Sequence, residues 1–317
     1  MNRSVKVSGQ PLLTVATVCF NVVKGGRAAA FRNCISSVRS QTLRSIEHLI
    51  VDGGSRDGTC ELVRDCGPDD NCRVISEPDH GIYDAMNKAI RLARGEYICF
   101  VNTDDAFSDV GAVDVNIRAL KREKADFSFA NADVYSADHA SFLRNWRSSI
   151  DDMPFGFYPC HQTLFCKTSV LREVGGFTEN FLANDNLLML KLVARDYSCI
   201  YLDRTIIDFH DGGASVKMIA DKERMQDEHI DFFMREFGKK AGLTVDDCRW
   251  LYDYRYRNMP YAQLLDLGSR LVKPRWIKRY FSILLADRMA QIRGPSASQA
   301  RARLFGKLPL FGVDIPV

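Results

Sequence analysis

The sequence predicts an α/β fold, a mainly parallel sheet with helices on both faces, joined to a C-terminal helical extension. Three observations lead there. Over the first hundred residues, short apolar runs alternate with stretches of helical period, and the connections are short. Each of those runs ends in polar residues, as expected where strands of an open sheet point into a cleft. Strand signals vanish after about residue 216, where only helical periods persist. The chain therefore divides into a sheet domain, 1–215, and a helical extension, 216–317.

Leu12–Phe20 is a mostly apolar run rich in Val and Thr and reads as a buried strand. Phe31, Cys34, Ile35 and Val38 fall at i, i+3, i+4 and i+7, one apolar stripe of a helix. Ile46–Val51 is a second strand, with a short helix expected after Gly58. Arg73–Ser76 is a third, followed by a helix through Met86, Ala89, Ile90 and Ala93, with Gly95 where a C-cap glycine would stand. Tyr97–Val101 is a fourth. After residue 108 the pattern is mixed. Asp109–Arg122 looks helical, Phe127–Tyr135 is a strand, and Thr168–Val174 is a short helix closed by Gly175 and Gly176. Asp185–Arg195 is a further helix and Cys199–Leu202 a further strand. Met225, Phe232, Phe233 and Phe237 suit one long helix, and Trp276, Tyr280, Ile283 and Leu284 a second. Gly294-Pro295-Ser296 reads as a linker.

Composition narrows the function. The 317 residues are 46% hydrophobic and 26% charged, an ordinary globular mix. Lys and Arg number 43 against 40 Asp and Glu, a net +3 that argues against a general nucleic-acid binder. No uncharged apolar run reaches about 18 residues, the length a membrane span needs. Met1–Gln10 lacks the apolar stretch of a signal peptide. The ten cysteines form no CxxC pair, so reduced thiols in a cytoplasmic protein are expected. Residues 270–317 carry ten basic side chains against Asp287 and Asp314, interleaved with Trp276, Tyr280, Phe281 and Leu284. Such a segment suits peripheral contact with an anionic membrane surface, packing on the sheet domain, or a homo-oligomer contact.

The polar strand ends carry the chemistry. They are Cys19-Phe20-Asn21, Asp52-Gly53-Gly54-Ser55, Glu77-Pro78-Asp79 and Asn102-Thr103-Asp104-Asp105. Adjacent carboxylates about 5 Å apart repel by roughly 3 kcal/mol at an effective dielectric near 20. If Asp104 and Asp105 both face one cleft, a divalent cation would offset that, and Mg²⁺ or Mn²⁺ shares oxygen ligands with substrate phosphates. The alternative is that Asp104 faces the cleft while Asp105 caps the helix starting near Asp109. The turn from Asp52 to Thr59 can present backbone N–H groups to an anion, or serve only as a tight turn and cap. It matches neither GxxxxGK[ST] nor GxGxxG.

Taken together and in order, these segments resemble family 2 glycosyltransferases of the GT-A (Rossmann-like) fold, over roughly residues 11–215. The resemblance rests on Thr17-Val18-Cys19-Phe20-Asn21, on Ile50 to Thr59, and on Ser76-Glu77-Pro78-Asp79-His80-Gly81-Ile82-Tyr83-Asp84-Ala85-Met86-Asn87-Lys88. It continues through Gly95-Glu96-Tyr97, Asn102 to Asp105, His161-Gln162, Gly175-Gly176-Phe177 and Asp185. The third run is similar to bacterial members that build polysaccharides.

The resemblance implies an inverting transfer of a sugar from a nucleotide-diphosphate donor, UDP by default with GDP and dTDP open, to a saccharide or lipid-linked acceptor. It implies donor binding by Asp52 and Gly54 of the glycine turn, by Thr17, Phe20 and Asn21 of the first loop, by Asn87 on the flanking helix and by Asp104 at the ribose. It implies Asp105, with His210 as a further candidate, on a Mn²⁺ or Mg²⁺ ion, and Asp185 as general base. His161 lies where members shape the acceptor site, although each histidine can equally be structural. Three positions depart from the family pattern: Asn102 opens the acidic signature in place of Asp, Asn184 stands where many members carry Glu, and Phe20 stands where Tyr or His is usual. The rival readings are a sugar-phosphate nucleotidyltransferase, which lacks here its full glycine-rich basic loop after the first strand, and a non-catalytic nucleotide-binding module.

Overall fold

Four parallel strands organise the first hundred residues: β1 (Leu13–Cys19), β2 (Ile46–Asp52), β3 (Cys72–Ser76) and β4 (Tyr97–Phe100). They lie in the order β4-β1-β2-β3 and are joined by α1 (Ala28–Arg39), α2 (Thr59–Asp65) and α3 (Ile82–Leu92). The computed structural model describes residues 9–67, 71–138, 140–147, 159–178, 184–212, 222–235, 244–246 and 314–315. β1 and β2 are buried along their whole length, which is why they read as runs rather than as alternating strands. Glu47 is tolerated inside β2 because it is paired. It accepts from Thr14 Oγ1 at 2.6 Å and Arg94 N at 2.8 Å and lies 3.2 Å from the Arg73 guanidinium.

The rest of the sheet is mixed. β5 (Ala106–Phe107) and α4 (Ala112–Glu123) lead to β6 (Phe127–Tyr135) and β7 (Phe142–Trp146). A 3₁₀ turn (His161–Thr163) leads to β8 (Phe165–Lys167) and α5 (Thr168–Glu173), then α6 (Asn184–Ala194) and β9 (Cys199–His210). β8 runs antiparallel between β4 and β6, and β9 lies parallel to β6. β5 and β7 add antiparallel to β9 and β6. α7 (Lys222–Phe233) follows, and β10 (Asp314–Ile315) pairs parallel with β9.

The sheet separates two cores. Ala16 and Val18 of β1 face Met86, Ile90, Leu171 and Leu188 on one side. Leu13 and Val15 face Phe31, Ile35, Ile117 and Leu120 on the other. The alternation along β1 is the two-residue period of a strand, and a buried side chain such as Phe31 contributes about 1.5–3 kcal/mol. Among the described residues the cysteines are free thiols, and no helix is long and apolar enough to cross a membrane.

Several expectations need correction. β5, β8 and β10 have only two or three residues, too short to leave a period, and β10 overturns the expected absence of strand after residue 216. β7 is mostly exposed and shows no alternation. β9 extends to His210 rather than stopping at Leu202, because the polar Asp203-Arg204-Thr205 interrupts its apolar run where the β6 register shifts. Gly95 is not a cap. α3 ends at Leu92, and a Cβ on Gly95 would lie 2.3 Å from Thr14 N and 2.6 Å from the Leu13 carbonyl carbon. The domain boundary near 215, Phe237, the helix around Trp276–Leu284, the 294–296 linker and the basic tail apart from Asp314–Ile315 lie outside the described residues.

Candidate active site

Strand order reverses at β1, with β2 on one side and β4 on the other, and ligands of open sheets bind beyond the carboxyl ends of strands at such a point. Two adjoining hollows open there, of about 700 and 920 Å³, and share Val18, Arg27 and Ile82. The first is lined by Tyr83, Asn102, Thr103, Asp104, Asp105, His161, Asp185 and His210. The second is lined by Cys19, Phe20, Gly53, Asp79 and Gly81.

Asp105 is buried at the floor of the first hollow. Its Oδ2 accepts from Gln162 Nε2 at 2.6 Å and its Oδ1 from His210 N at 2.8 Å. The imidazole Nδ1 of His210 lies 4.0 Å from Oδ1, and its ring stacks on Tyr135. Burial pushes the Asp105 carboxyl well above the usual carboxylate range and the Asp104 carboxylate adds to the rise, while hydrogen bonds from His210 N, Gln162 and Asn102 oppose it. Asp105 does not cap α4, which begins only at Ala112. Asp104 and Asp105 thus share one hollow, where the capping alternative would have placed only Asp104.

Asp185 sits in the first turn of α6, across the same hollow. Its Oδ2 is 3.2 Å from His161 Nδ1, and Tyr83 Oη approaches Oδ1 at 3.4 Å. Burial pushes its carboxyl up, but hydrogen bonds and charge from His161 and the N–H groups of Asp185 and Asn186 outweigh that and hold it below the usual range. It is therefore ionised at neutral pH, as a helix N-terminus favours.

The second hollow is shaped by the glycine turn. Asp52 accepts from Ser55 Oγ at 2.5 Å, Ser76 Oγ at 2.7 Å, Ser55 N at 2.9 Å and Gly54 N at 3.2 Å. Burial raises its carboxyl, yet these bonds hold it below the usual range. Gly54 takes φ +82 with Pro78 N 3.2 Å from where its Cβ would be, so only glycine fits without strain. Phe20 is 55% exposed at the rim, an apolar ring free to stack on a flat ligand.

Of the residues singled out in the sequence, Asp104, Asp105, Asp185, His161 and His210 meet in one hollow and Phe20 borders the other. Thr17 does not reach either. It is buried with Oγ1 3.1 Å from His48 Nε2. Asn87 lies on α3, but its amide clamps Phe177, donating to the carbonyl at 2.9 Å and accepting from N–H at 2.8 Å. Asn21 holds the glycine turn, its N–H donating to Ser55 Oγ at 2.8 Å. Asp52 lies behind the glycine turn that borders the hollow. Sequence reasoning missed Arg27, Tyr83 and the function of Gln162. Arg27 lines both hollows, donates to Thr103 Oγ1 at 3.1 Å and stands at the N-terminus of α1. A guanidinium at a helix N-terminus favours an anion, and its position just before a helical stripe was the available signal.

The donor set suits a divalent cation of the Mg²⁺ or Mn²⁺ type. Two adjacent carboxylates and the His210 imidazole face the first hollow; burial lifts the Asp105 carboxyl, Asp104 adds to the rise, and that added repulsion is what a cation would relieve. Among the described residues no group of three His, Cys, Asp or Glu side chains forms a ready cage. Mg²⁺ sites commonly leave such positions to substrate phosphates.

The profile of Glycosyl transferase family 2 matches residues 14–187, which span the ends of β1 to β4 and Asp185 but not His210. The chain belongs to this family. The glycosyltransferase is 24% identical over 217 residues to a PGL/p-HBAD biosynthesis glycosyltransferase of Mycobacterium bovis (strain BCG / Pasteur 1173P2), covering 67% of this chain and 82% of the relative. It is 28% identical over 239 residues to an uncharacterized glycosyltransferase of Mycobacterium tuberculosis (strain CDC 1551 / Oshkosh), covering 70% and 86%. Its fold is similar to that of mannosyltransferase PcManGT from Pyrobaculum calidifontis, solved with GDP-Man and Mn²⁺ (TM-score 0.57, 18% identity, 95% and 89% of the two chains). It is also similar to S. aureus TarS 1–349 solved with UDP-GlcNAc (TM-score 0.55, 14% identity, 93% and 76%). The glycosyltransferase thus has the GT-A-like sheet with flanking helices that the resemblance implied.

Proposed function

We propose that this glycosyltransferase moves a sugar, with inversion, from a nucleoside-diphosphate donor to a hydroxyl of a saccharide or lipid-linked acceptor, in bacterial glycolipid or surface polysaccharide synthesis. The observation that carries the reading is the meeting of Asp104, Asp105 and Asp185 in one hollow at the strand-order reversal. The donors bound in the PcManGT and TarS structures support a nucleotide sugar, and the part of the M. bovis relative in PGL/p-HBAD biosynthesis supports a glycolipid acceptor.

In this reading the nucleoside lies in the second hollow, against Phe20 and the Asp52 turn. Asp104 binds the ribose and Arg27 faces the diphosphate. Asp105, with Asp104 and His210, would hold Mn²⁺ or Mg²⁺, which stabilises negative charge on the leaving diphosphate when bound. The Asp185–His161 pair supplies the base at the acceptor end. A neutral hydroxyl is a poor nucleophile, so a positioned base draws off its proton as the new bond forms. One base facing the anomeric carbon opposite the leaving group gives single displacement and inversion. A soluble or peripheral position on the inner membrane face, reached through the basic tail, would bring lipid-linked acceptors within range.

The test is a thermal-shift screen of UDP, GDP, dTDP and CDP with and without Mn²⁺. A nucleotide at about 100 times its Kd stabilises by about 2.7 kcal/mol. Stabilisation by at least one nucleotide, larger with Mn²⁺, supports the reading, and no response to any of the four rejects it. Release of a nucleoside diphosphate rather than pyrophosphate separates transfer from nucleotidyl transfer.

A further inference from the structure

Two charged side chains, Arg27 and Asp79, line the second hollow, and they stand at different places. Arg27 also lines the first hollow and so marks where the two join, whereas Asp79 lines the second alone. Asp79 lies just beyond β3 and is half-buried. Its Oδ1 accepts from Gly81 N at 2.9 Å, which fixes the carboxylate at the turn into α3. Its Oδ2 has no hydrogen-bond partner among the described residues. That oxygen lies over the bare Cα of Gly53, 2.6 Å from where a Cβ would be, and Gly53 lines the same hollow. The missing side chain at Gly53 is what leaves room for the carboxylate.

Charge turns a nucleoside diphosphate in this site. Its phosphates are drawn to Arg27 and repelled by Asp79, so the base is the part that meets Asp79. A carboxylate only accepts hydrogen bonds. Against the edge of a base it favours N–H groups and is repelled by carbonyl oxygens and ring lone pairs. Uracil and thymine offer one N–H flanked by two carbonyl oxygens. Cytosine and adenine offer an amino group beside a bare ring nitrogen. Guanine alone among the common bases has two adjacent donors, N1–H and the 2-amino group, the arrangement that a carboxylate accepts side by side. Each carboxylate oxygen has two acceptor positions, so the bond from Gly81 N leaves Oδ1 able to take one of these donors beside Oδ2.

We propose that Asp79 selects guanine as the nucleobase, so that the donor is a GDP-sugar. The inference deepens the transfer reaction proposed above and rests on it. The base lies against the exposed ring of Phe20, and its N1–H and 2-amino group donate to Asp79. UDP, the default implied by the resemblance, would set a carbonyl oxygen against the carboxylate.

The test is calorimetric binding of GDP, IDP, UDP, CDP, dTDP and ADP to the full-length protein with Mn²⁺ at neutral pH. IDP differs from GDP only in lacking the 2-amino group. We expect GDP to bind most tightly, at least about tenfold better than IDP and than each of the other bases. Asp79→Asn keeps an acceptor for Gly81 N and puts an NH₂ donor in place of the second oxygen. The variant should bind GDP at least about tenfold more weakly. It should prefer xanthosine diphosphate, in which a C2 carbonyl replaces the 2-amino group, over GDP. A residue that only held the turn would not exchange one base for another. If the variant fails to fold, the wild-type comparison of GDP with IDP and UDP still decides. Equal Kd for GDP and IDP, a wild type that prefers UDP, or a folded Asp79→Asn with the wild-type order of nucleotides overturns the proposal and leaves the transfer reading standing. A wild type that binds none of the six overturns both.

Discussion

Gln162 Nε2 donates to Asp105 Oδ2 at 2.6 Å, from a side chain fully buried in the 3₁₀ turn ahead of β8. With His210 N on Oδ1, two segments distant in sequence fix one carboxylate. Cys160 Sγ donates to Gln162 Oε1 at 2.9 Å and sets which way the amide points. Gln162→Ala removes the donor and leaves a buried acceptor exposed to a cavity. We expect a loss of about 2–3 kcal/mol in urea unfolding. A loss below about 0.5 kcal/mol would show that the bond contributes little.

Asp105→Asn should separate stability from metal response. The Asp105 carboxyl is pushed up by burial and by Asp104. A carboxyl raised on folding contributes stability below the usual carboxylate range and loses it as pH climbs through the raised value. Asn removes that loss and keeps an acceptor for His210 N, but its NH₂ then meets the Gln162 amide donor that Cys160 holds in place, so one hydrogen bond is lost at every pH. Relative to the wild type, the metal-free variant should therefore be better off at pH 8 than at pH 5 by about 1 kcal/mol or more, roughly 2 °C in melting temperature. The added stabilisation by Mn²⁺ with nucleotide should disappear. A stability difference that is the same at pH 5 and pH 8 would contradict this account.

Much of this was legible in the sequence because it is local. The β1 and β2 runs and the stripes of α1 and α3 follow from periods of two and 3.6, and Asp104 and Asp105 follow a recognisable strand. The site residues that failed to reach the cleft did so for tertiary reasons. Thr17 lies in β1 and Phe20 just beyond it, and it takes the packing of β2 to show that Thr17 is held by His48 while Phe20 stands exposed. Asn87 shares α3 with cleft residues but faces Phe177. Gln162 and Tyr83 owe their importance to partners 57 and 102 positions away, which no spacing rule reaches.

Asn87→Ala tests whether that residue serves the fold or the donor. Its amide ties both main-chain groups of Phe177, and Phe177 stacks on Tyr83 with ring centroids 5.4 Å apart. We expect a loss of about 1–3 kcal/mol with nucleotide affinity changed less than about twofold. A tenfold weaker nucleotide at unchanged stability would restore the donor-binding role.

Gly95→Ala should be severe although the residue is far from the cleft chemistry. The added methyl would lie 2.3–2.6 Å from main-chain atoms of Leu13, Thr14 and Tyr97, none of which can rotate away. β1 and β4 would have to separate, breaking the parallel pairing that starts at Leu13 and Tyr97. Overpacking of this kind costs about 3 kcal/mol or more, so the variant should melt well below the wild type or accumulate as insoluble protein.

Asp52→Asn tests the acid side. The Asp52 carboxyl is pushed up by burial but held below the usual range by Ser55, Ser76 and Cys60, so the sign is opposite to that of Asp105. A carboxyl depressed on folding contributes stability above the usual carboxylate range and loses it as pH falls through the depressed value. The Asn amide cannot accept at both positions, so Ser55 and Ser76 compete for one oxygen. We expect a loss of about 1–3 kcal/mol at pH 7 and a shallower decline of stability below about pH 4. Asp126 and Asp185 are depressed as well, so the slope should flatten rather than vanish. Urea titrations at intervals of pH read both effects, and an acid limb identical to the wild type would mean that the Asp52 turn gains nothing from its charge.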